Sequence, residues 1–514
     1  MTATIQTLLL LLAVLVVVAI VARRFNTAPS ILLVTAGILL ALTPGLPRIE
    51  LAPELVLLGI LPPLIYLAGV AMSWREFRFN LRPIALLAFG CVVFTACAVA
   101  AMAHWLLGMP LAVGFVLGAI VAPPDAAAAT AILRQVNLPY RIQKILEGES
   151  LLNDASALLI YRVCVGLVAA EHMKVHEFVP SVALALFGSL IAGFLFARVW
   201  TQITRRITEA PSAIITQFAG TFMVWIVAEH IGLSGILTIV AYAITIARTA
   251  PERTPARLRV ASYAVWETVV FVLNVLAFIL IGMQLNPIWS GLDDEVRFKY
   301  CSFAATILAV VVFARIAWVM PYGALLRALN AHGLLPPHVS PAVPTVERGI
   351  IVSWCGMRGI VTLAAAFALP ESFPYRDLIL LTAFAVVLGT LVVQGLTLRP
   401  LILALKFEED DPVAREAAQA RCIAYRAALE AIESDPSEEA EILRLEYRAV
   451  LLRAETEPEI GIATSELPAD PLRRRAIGAA REALLRMRQF EEIGDDAFHQ
   501  VEEELDRAEL SAQA

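Results

Sequence analysis

Three short stretches hold residues whose chemistry packing alone does not explain. "LGAIVAPPDAAAATAI" (117–132) sets Pro123, Pro124 and Asp125 in the middle of an apolar run. "EGESLLNDASALLIYRV" (147–163) carries Glu149, Ser150, Asn153 and Asp154, and "WCGMRGIVTLAAAFALP" (354–370) carries Arg358 between Gly356 and Gly359. A charge at the centre of a hydrocarbon layer costs about 2.5–3.5 kcal/mol or more, so each of these is a functional candidate by default.

Proline has no amide hydrogen, and its ring strips the preceding turn of a bond, so the Pro123–Pro124 pair opens carbonyls. Backbone opened in this way is tolerated only where it lines a protein-enclosed or hydrated cavity. Asp125 follows at once. It reads either as the N-cap of the second half-helix or as an ion ligand, and the two roles can coexist. Asp154 comes ten residues after Lys144, about 15 Å along a helix, which is the bilayer midplane. Ser150, at i−4, shares its face, and Asn153 is adjacent. Hard monovalent cations such as Na⁺ take oxygen ligands, which two carboxylates, a hydroxyl, an amide and freed carbonyls supply. A carboxylate withdrawn from water favours its neutral form. One site can therefore hold a proton or a cation, but not both. The competing reading is a buried hydrogen-bond network with a structural role. Glu149 lies roughly 140° around the helix from Asp154 and needs another partner. Arg358 does not deprotonate and calls for a carboxylate, so the sequence predicts a buried structural ion pair, Glu149–Arg358.

The rest of the chain must hold these groups in place. Of 514 residues, 59% are hydrophobic and 17% charged, against about 45–50% and about 25% in soluble domains. That excludes an ordinary soluble enzyme, a disordered chain and a nucleic-acid binder. Thirteen stretches are long enough to approach a hydrocarbon span, near 5–22, 29–45, 51–72, 84–105, 111–133, 145–169, 180–200, 212–231, 233–249, 263–286, 300–325, 349–369 and 378–405. The 212–249 region reads as one span or two. With the first helix starting outside, the inner connections hold 19 Lys and Arg: Arg23, Arg24, Arg75, Arg78, Arg82, Arg134, Arg141, Lys144, Arg198, Arg205, Arg206, Arg248, Arg253, Arg257, Arg259, Arg327, Arg348, Arg399 and Lys406. The outer side holds 5: Arg48, Lys174, Arg297, Lys299 and Arg376. This bias places the N-terminus outside and the C-terminus in the cytoplasm of an inner (plasma) membrane. The first stretch reads as an anchor rather than a signal peptide, because no charged n-region precedes it. The interrupted spans, fifth and twelfth, are seven apart, as expected of inverted repeats with a transport site at the midplane.

The chain divides in composition. Residues 1–406 carry 27 Lys+Arg against 19 Asp+Glu, and residues 407–514 carry 13 against 27. The first is read as a transmembrane domain, the second as a cytosolic acidic tail of amphipathic helices with an unknown partner. Six cysteines (Cys91, Cys97, Cys164, Cys301, Cys355, Cys422) show no metal spacing, and no phosphate loop or cofactor motif occurs, so no enzyme chemistry is expected. Glu267, Asn274 and Arg315 are read as a second interhelical network. Arg162 lines an outward path or snorkels, with the structural role favoured. His104, His172 and His176 read as exposed bystanders or pH sensors.

"GESLLNDASALLIY", "PPDAAAATAI", "GMRGIVTLAAAFALP" and "LVVQGLTLRPLI" together resemble, in order and spacing, the monovalent cation:proton antiporters of the sodium/proton exchanger family, over roughly residues 1–405. The resemblance implies a thirteen-helix inverted-repeat fold with crossed broken helices, a homodimer, and electroneutral exchange of one Na⁺ or Li⁺ for one proton. By position, it makes Asp154 the essential cation/proton carboxylate and Asn153 its companion, with Asp125 and Ser150 completing the Na⁺ site. It makes Glu149 and Arg358 the structural pair. Two departures bear on selectivity. Ala122-Pro123-Pro124-Asp125 stands where the family commonly has Ser/Thr-Pro-Thr-Asp, and Leu67 stands where many members have an acidic residue. K⁺ is therefore an alternative substrate. A tail-regulated membrane scaffold with a vestigial site is the alternative of another class. A cation channel fits a single midplane carboxylate and a buried arginine poorly.

Overall fold

The computed structural model describes residues 29–43, 52–125, 129, 138–169, 179–207, 209–253, 256–290, 294–334, 344–407, 412–456, 470–490, 501 and 505. The first apolar stretch with Arg23 and Arg24, the loop residues Arg48, His172 and Lys174, His176, and Arg134 in the second half of the fifth span lie outside the described residues. All the regular secondary structure among the described residues is helical. This is the expected outcome for apolar chain in hydrocarbon, where each amide must bond within its own segment.

The helices are α1 (Pro29–Ala41), α2 (Leu55–Ala71), α3 (Trp74–Phe79), α4 (Leu81–Leu107), α5 (Leu111–Val121) and α6 (Tyr140–Ala169). They continue as α7 (Leu184–Thr204), α8 (Ala210–His230), α9 (Gly235–Arg253), α10 (Ala256–Met283), α11 (Leu285–Ser290) and α12 (Asp294–Ala331). A broken pair, α13 (Val346–Trp354) and α14 (Ile360–Phe367), precedes α15 (Arg376–Leu405). Among the described residues, seven helices are long and apolar enough to cross a membrane, and four more apolar helices are shorter. The 212–249 region resolves into two helices. The chain turns at Ile231–Ser234, where Gly232 takes a left-handed φ of 79°, a conformation that costs glycine little.

Helix pairing follows the repeat. α1 packs on α10, and α2 packs on α9. Exchanging the halves, α1 for α9 and α2 for α10, converts one contact into the other. The buried apolar side chains form two large clusters. One gathers α1, α5, α10, α12, α14 and α15; the other gathers parts of α2, α7, α8 and α9. α6 contributes to both, with Leu146 and Cys164 in the first and Leu151, Leu152 and Ala155 in the second. The helix carrying Asp154 thus contacts both clusters, as do α2, α4 and α10.

The chain splits into two compact units, Met1–Glu408 and Glu409–Ala514. Within the second, α16 (Pro412–Ala431) and α17 (Glu438–Thr456) form an antiparallel hairpin. Tyr425 meets Tyr447 at 5.4 Å between ring centroids, and Arg426 pairs with Glu455 at 2.5 Å. Arg444 donates to the carbonyls of Ile432 and Asp435, closing the end of α16. α18 (Asp470–Gln489) joins through Arg473 and Glu446 at 2.7 Å.

The tightest helix contact is α1 on α10. A Cβ added at Gly37 would sit 3.0 Å from the Gly282 Cα and closer still to the Ile279 carbonyl. Without a solvent-driven apolar effect between helices, such small-residue contacts supply the packing energy. Gly37→Val should therefore cost about 1–3 kcal/mol by overpacking, seen as a lowered melting temperature of the detergent-solubilised protein. An unchanged melting temperature would mean that this contact is not as close as described.

Candidate functional site

α5 ends at Val121 and the chain runs without regular structure through Pro123–Asp125; α13 ends at Trp354 and the chain runs without regular structure through Cys355–Gly359 before α14. Proline explains the first interruption and glycine the second. The two irregular segments meet. The Asp125 amide donates to the Met357 carbonyl at 2.6 Å. Gly359 is where they come closest: a Cβ there would lie 2.8 Å from the Asp125 Cβ and closer still to its carboxylate. No other residue leaves that carboxylate where it is.

Each break frees carbonyls, and named donors take them up. The Arg358 guanidinium donates through Nε to the Val121 carbonyl at 3.0 Å and through Nη2 to the Ala122 carbonyl at 3.3 Å. It also bonds the Gly356 carbonyl within its own segment. The Arg358 backbone amide donates to Thr390 Oγ1 on α15 at 3.0 Å. Asn153 on α6 donates from Nδ2 to the Pro124 carbonyl at 2.6 Å. That bond fixes the amide's orientation, since the carbonyl can only accept. Asn153 Oδ1, fully buried, has no hydrogen-bond partner among the described residues. A buried acceptor without a donor is costly, and an oxygen in that condition suits a cation.

Asp154 follows Asn153 and is half-buried, as are Asp125 and, one turn earlier on α6, Ser150. Asp125 and Asp154 are close enough to feel each other's charge. Pro123 and Pro124 are buried beside them. The structure therefore brings the α5 break, the α13–α14 break and the Asn153–Asp154 turn of α6 to one place. Among the described residues, no group of three His, Cys, Asp or Glu side chains forms a metal-binding cluster. An alkali cation here would draw its oxygens from two carboxylates, the Asn153 amide and backbone.

The ion pair differs from the sequence expectation. Glu149 pairs with Arg315 on α12, not with Arg358: Nη1 meets Oε1 at 2.5 Å and Nη2 meets Oε2 at 2.7 Å. Arg315 Nε donates to the Val352 carbonyl of α13 at 3.0 Å. Glu149 and Arg315 are only 1% and 2% exposed, so this is a fully desolvated bidentate pair. Arg358 needs no carboxylate because carbonyls occupy its donors. The expected network of Arg315 with Glu267 and Asn274 does not form; Glu267 is exposed on α10. Thr390 escaped notice because a lone threonine in an apolar helix normally bonds its own preceding turn. It does that here too, to the Val386 carbonyl at 2.8 Å.

Removing one partner of such a pair costs roughly 3–5 kcal/mol. Arg315→Gln should therefore destabilise the protein sharply, and the exchange Glu149→Arg with Arg315→Glu should recover part of that loss in a melting experiment. Recovery by the exchange of Glu149 with Arg358 instead would contradict the pairing. Gly359→Ala should leave folding nearly intact yet displace Asp125, lowering ion transport roughly tenfold to a hundredfold, the range that misplacing a reacting group by about an ångström brings.

The sodium/hydrogen exchanger transmembrane family matches residues 10–404. An uncharacterized Na(+)/H(+) exchanger of Mycobacterium tuberculosis is 30% identical over 97% of this chain and 94% of its own length. A sodium, potassium, lithium and rubidium/H(+) antiporter of Bacillus subtilis is 28% identical over 98% of this chain and 77% of its own. The fold resembles that of the sodium proton antiporter MjNhaP1 from Methanocaldococcus jannaschii, with a TM-score of 0.60 at 16% identity, covering 78% of this chain and 99% of that one. Two chain interruptions brought into contact within a helical membrane fold, with the family match running through both of them, lead to one conclusion: the chain belongs to the sodium/hydrogen exchanger family and is a multi-pass membrane cation/proton antiporter.

Proposed function

We propose that the protein exchanges cytoplasmic Na⁺ or Li⁺ for external protons by alternating access, with Asp154 carrying proton and cation in turn. The observation that carries this reading is the buried, unpartnered Asn153 Oδ1 beside Asp154 and the Asp125 segment. Asn153 and Asp125 supply further oxygens to the cation, and Ser150 supports the same turn of α6. A carboxylate that gives up one proton for each monovalent cation leaves the loaded carrier with the same charge in both forms, so the cycle is electroneutral. The positive-inside bias supports an N-terminus outside and a cytoplasmic tail, in an inner membrane. On this reading the unit to about residue 406 carries transport and the tail beyond it has a separate role.

A second reading, K⁺/H⁺ exchange, is favoured by the naming of the Bacillus relative for potassium as well as sodium. The loss of a hydroxyl ligand at Pro124 relaxes the demand for a small ion.

Proton flux in inverted membrane vesicles, on adding Na⁺, Li⁺ or K⁺, tests both readings. Cation-dependent alkalinisation of the acidified lumen is expected in the wild type and should be lost in Asp154→Asn; the ions that respond name the substrates. An equal response in Asp154→Asn would move the site elsewhere.

A further inference from the structure

A cavity of about 270 Å³ opens at one end of α6, lined among others by Glu54, Ala155, Leu158, Arg162, Glu229 and Ala368. Its lining reaches Ala155, next in sequence to Asp154, and among the described residues it carries three charges, Glu54, Arg162 and Glu229. Arg162 stands eight residues beyond Asp154, about 12 Å along the helix, so the cavity follows α6 outward from Ala155, next in sequence to Asp154, to Arg162. Ala368 closes α14, the half-helix that begins at Gly359, so the same cavity touches the far end of the second broken helix. Every chain end around the mouth belongs to a connection that the arginine-poor, outer side receives. Glu54 follows Arg48, Arg162 precedes Lys174, Glu229 abuts the α8–α9 turn, and Ala368 precedes Arg376.

At this mouth Arg162 Nη2 meets Glu229 Oε2 at 2.5 Å. The Glu229 Oε1 already accepts from the Gly235 amide at 2.9 Å, which holds the carboxylate at the start of α9 without help from the arginine. Arg162 is half-exposed, its side chain at 53%, and a solvated ion pair contributes little to stability. Its effect is on the field. Among the described lining residues Glu54 and Glu229 give the mouth two negative charges, and Arg162 cancels one. Clefts lined by one sign of charge concentrate counter-ions and raise their arrival rate by about 10-fold or more.

Resting on the antiport reading above, we propose that Arg162 and Glu229 form a charge valve at the outer mouth that sets how strongly external alkali cations load. By holding the mouth's charge down, Arg162 suppresses re-entry of the exported cation. The pair acts from a distance and positions no ligand on the cation at Asp154, so its influence is confined to one face.

The test is transport with Na⁺ as the probe, supplied to one face at a time in right-side-out and inverted vesicles, for the wild type, Arg162→Gln, Arg162→Lys and Glu229→Gln. Arg162→Gln should lower the half-saturating external Na⁺ roughly tenfold, Glu229→Gln should raise it, and Arg162→Lys, which keeps the charge, should stay near the wild type. The half-saturating cytoplasmic Na⁺ should not move in any of them, which also verifies folding. The external difference should shrink when ionic strength is raised with choline chloride. Equal shifts at both faces, or none, would overturn the valve while leaving the antiport reading intact. A wild type that moves no Na⁺ at either face would overturn the antiport reading, and the valve with it.

Discussion

A peptide carbonyl freed inside an apolar layer has to find a donor in the protein, because lipid offers none. Two helix breaks facing each other multiply that demand, and the arrangement of this site follows from meeting it. The Val121, Ala122 and Gly356 carbonyls take Arg358; Pro124 takes Asn153; Met357 takes the Asp125 amide. Each of these bonds ties a different part of the chain to the crossing. The site is therefore assembled by backbone satisfaction, and the carboxylates ride on it.

Satisfying the breaks leaves a particular residue of unmet bonding. Asn153 donates from Nδ2 to the Pro124 carbonyl, which leaves its oxygen, beside the carboxylate that follows it, without a partner among the described residues. Arg358 brings a fixed positive charge whose guanidinium is bonded to the Val121, Ala122 and Gly356 carbonyls. Glu149 is taken up by Arg315, so it is not available to the cation. That pair also clasps α6 to α12 and, through Val352, to α13. Fixed partners thus surround the Asn153–Asp154 turn, where on the proposed reading a proton and a cation compete for one place.

Much of this was legible in the sequence because hydrocarbon imposes one-dimensional rules. Pro123–Pro124 and Gly356/Gly359 mark the interruptions, and Asp154 stands out by its depth in an apolar span. What could not be read was azimuth across helices. Arg315 and Arg358 both sit in apolar spans at reachable depth, and choosing Arg358 for Glu149 assumed that a buried guanidinium must face a carboxylate. Its five donors are equally served by carbonyls, and breaks supply carbonyls in quantity. Glu229 escaped for another reason: at the end of α8 it resembles an ordinary surface acid, and only the fold brings it to Arg162.

The central claim is competition between proton and cation at one site. It is tested most directly by adding Na⁺ to the purified protein in lightly buffered detergent solution and recording pH. The expected result is proton release that saturates with Na⁺, diminishes as the starting pH rises and vanishes in Asp154→Asn. Saturable Na⁺ binding with no proton release at any pH would contradict the account.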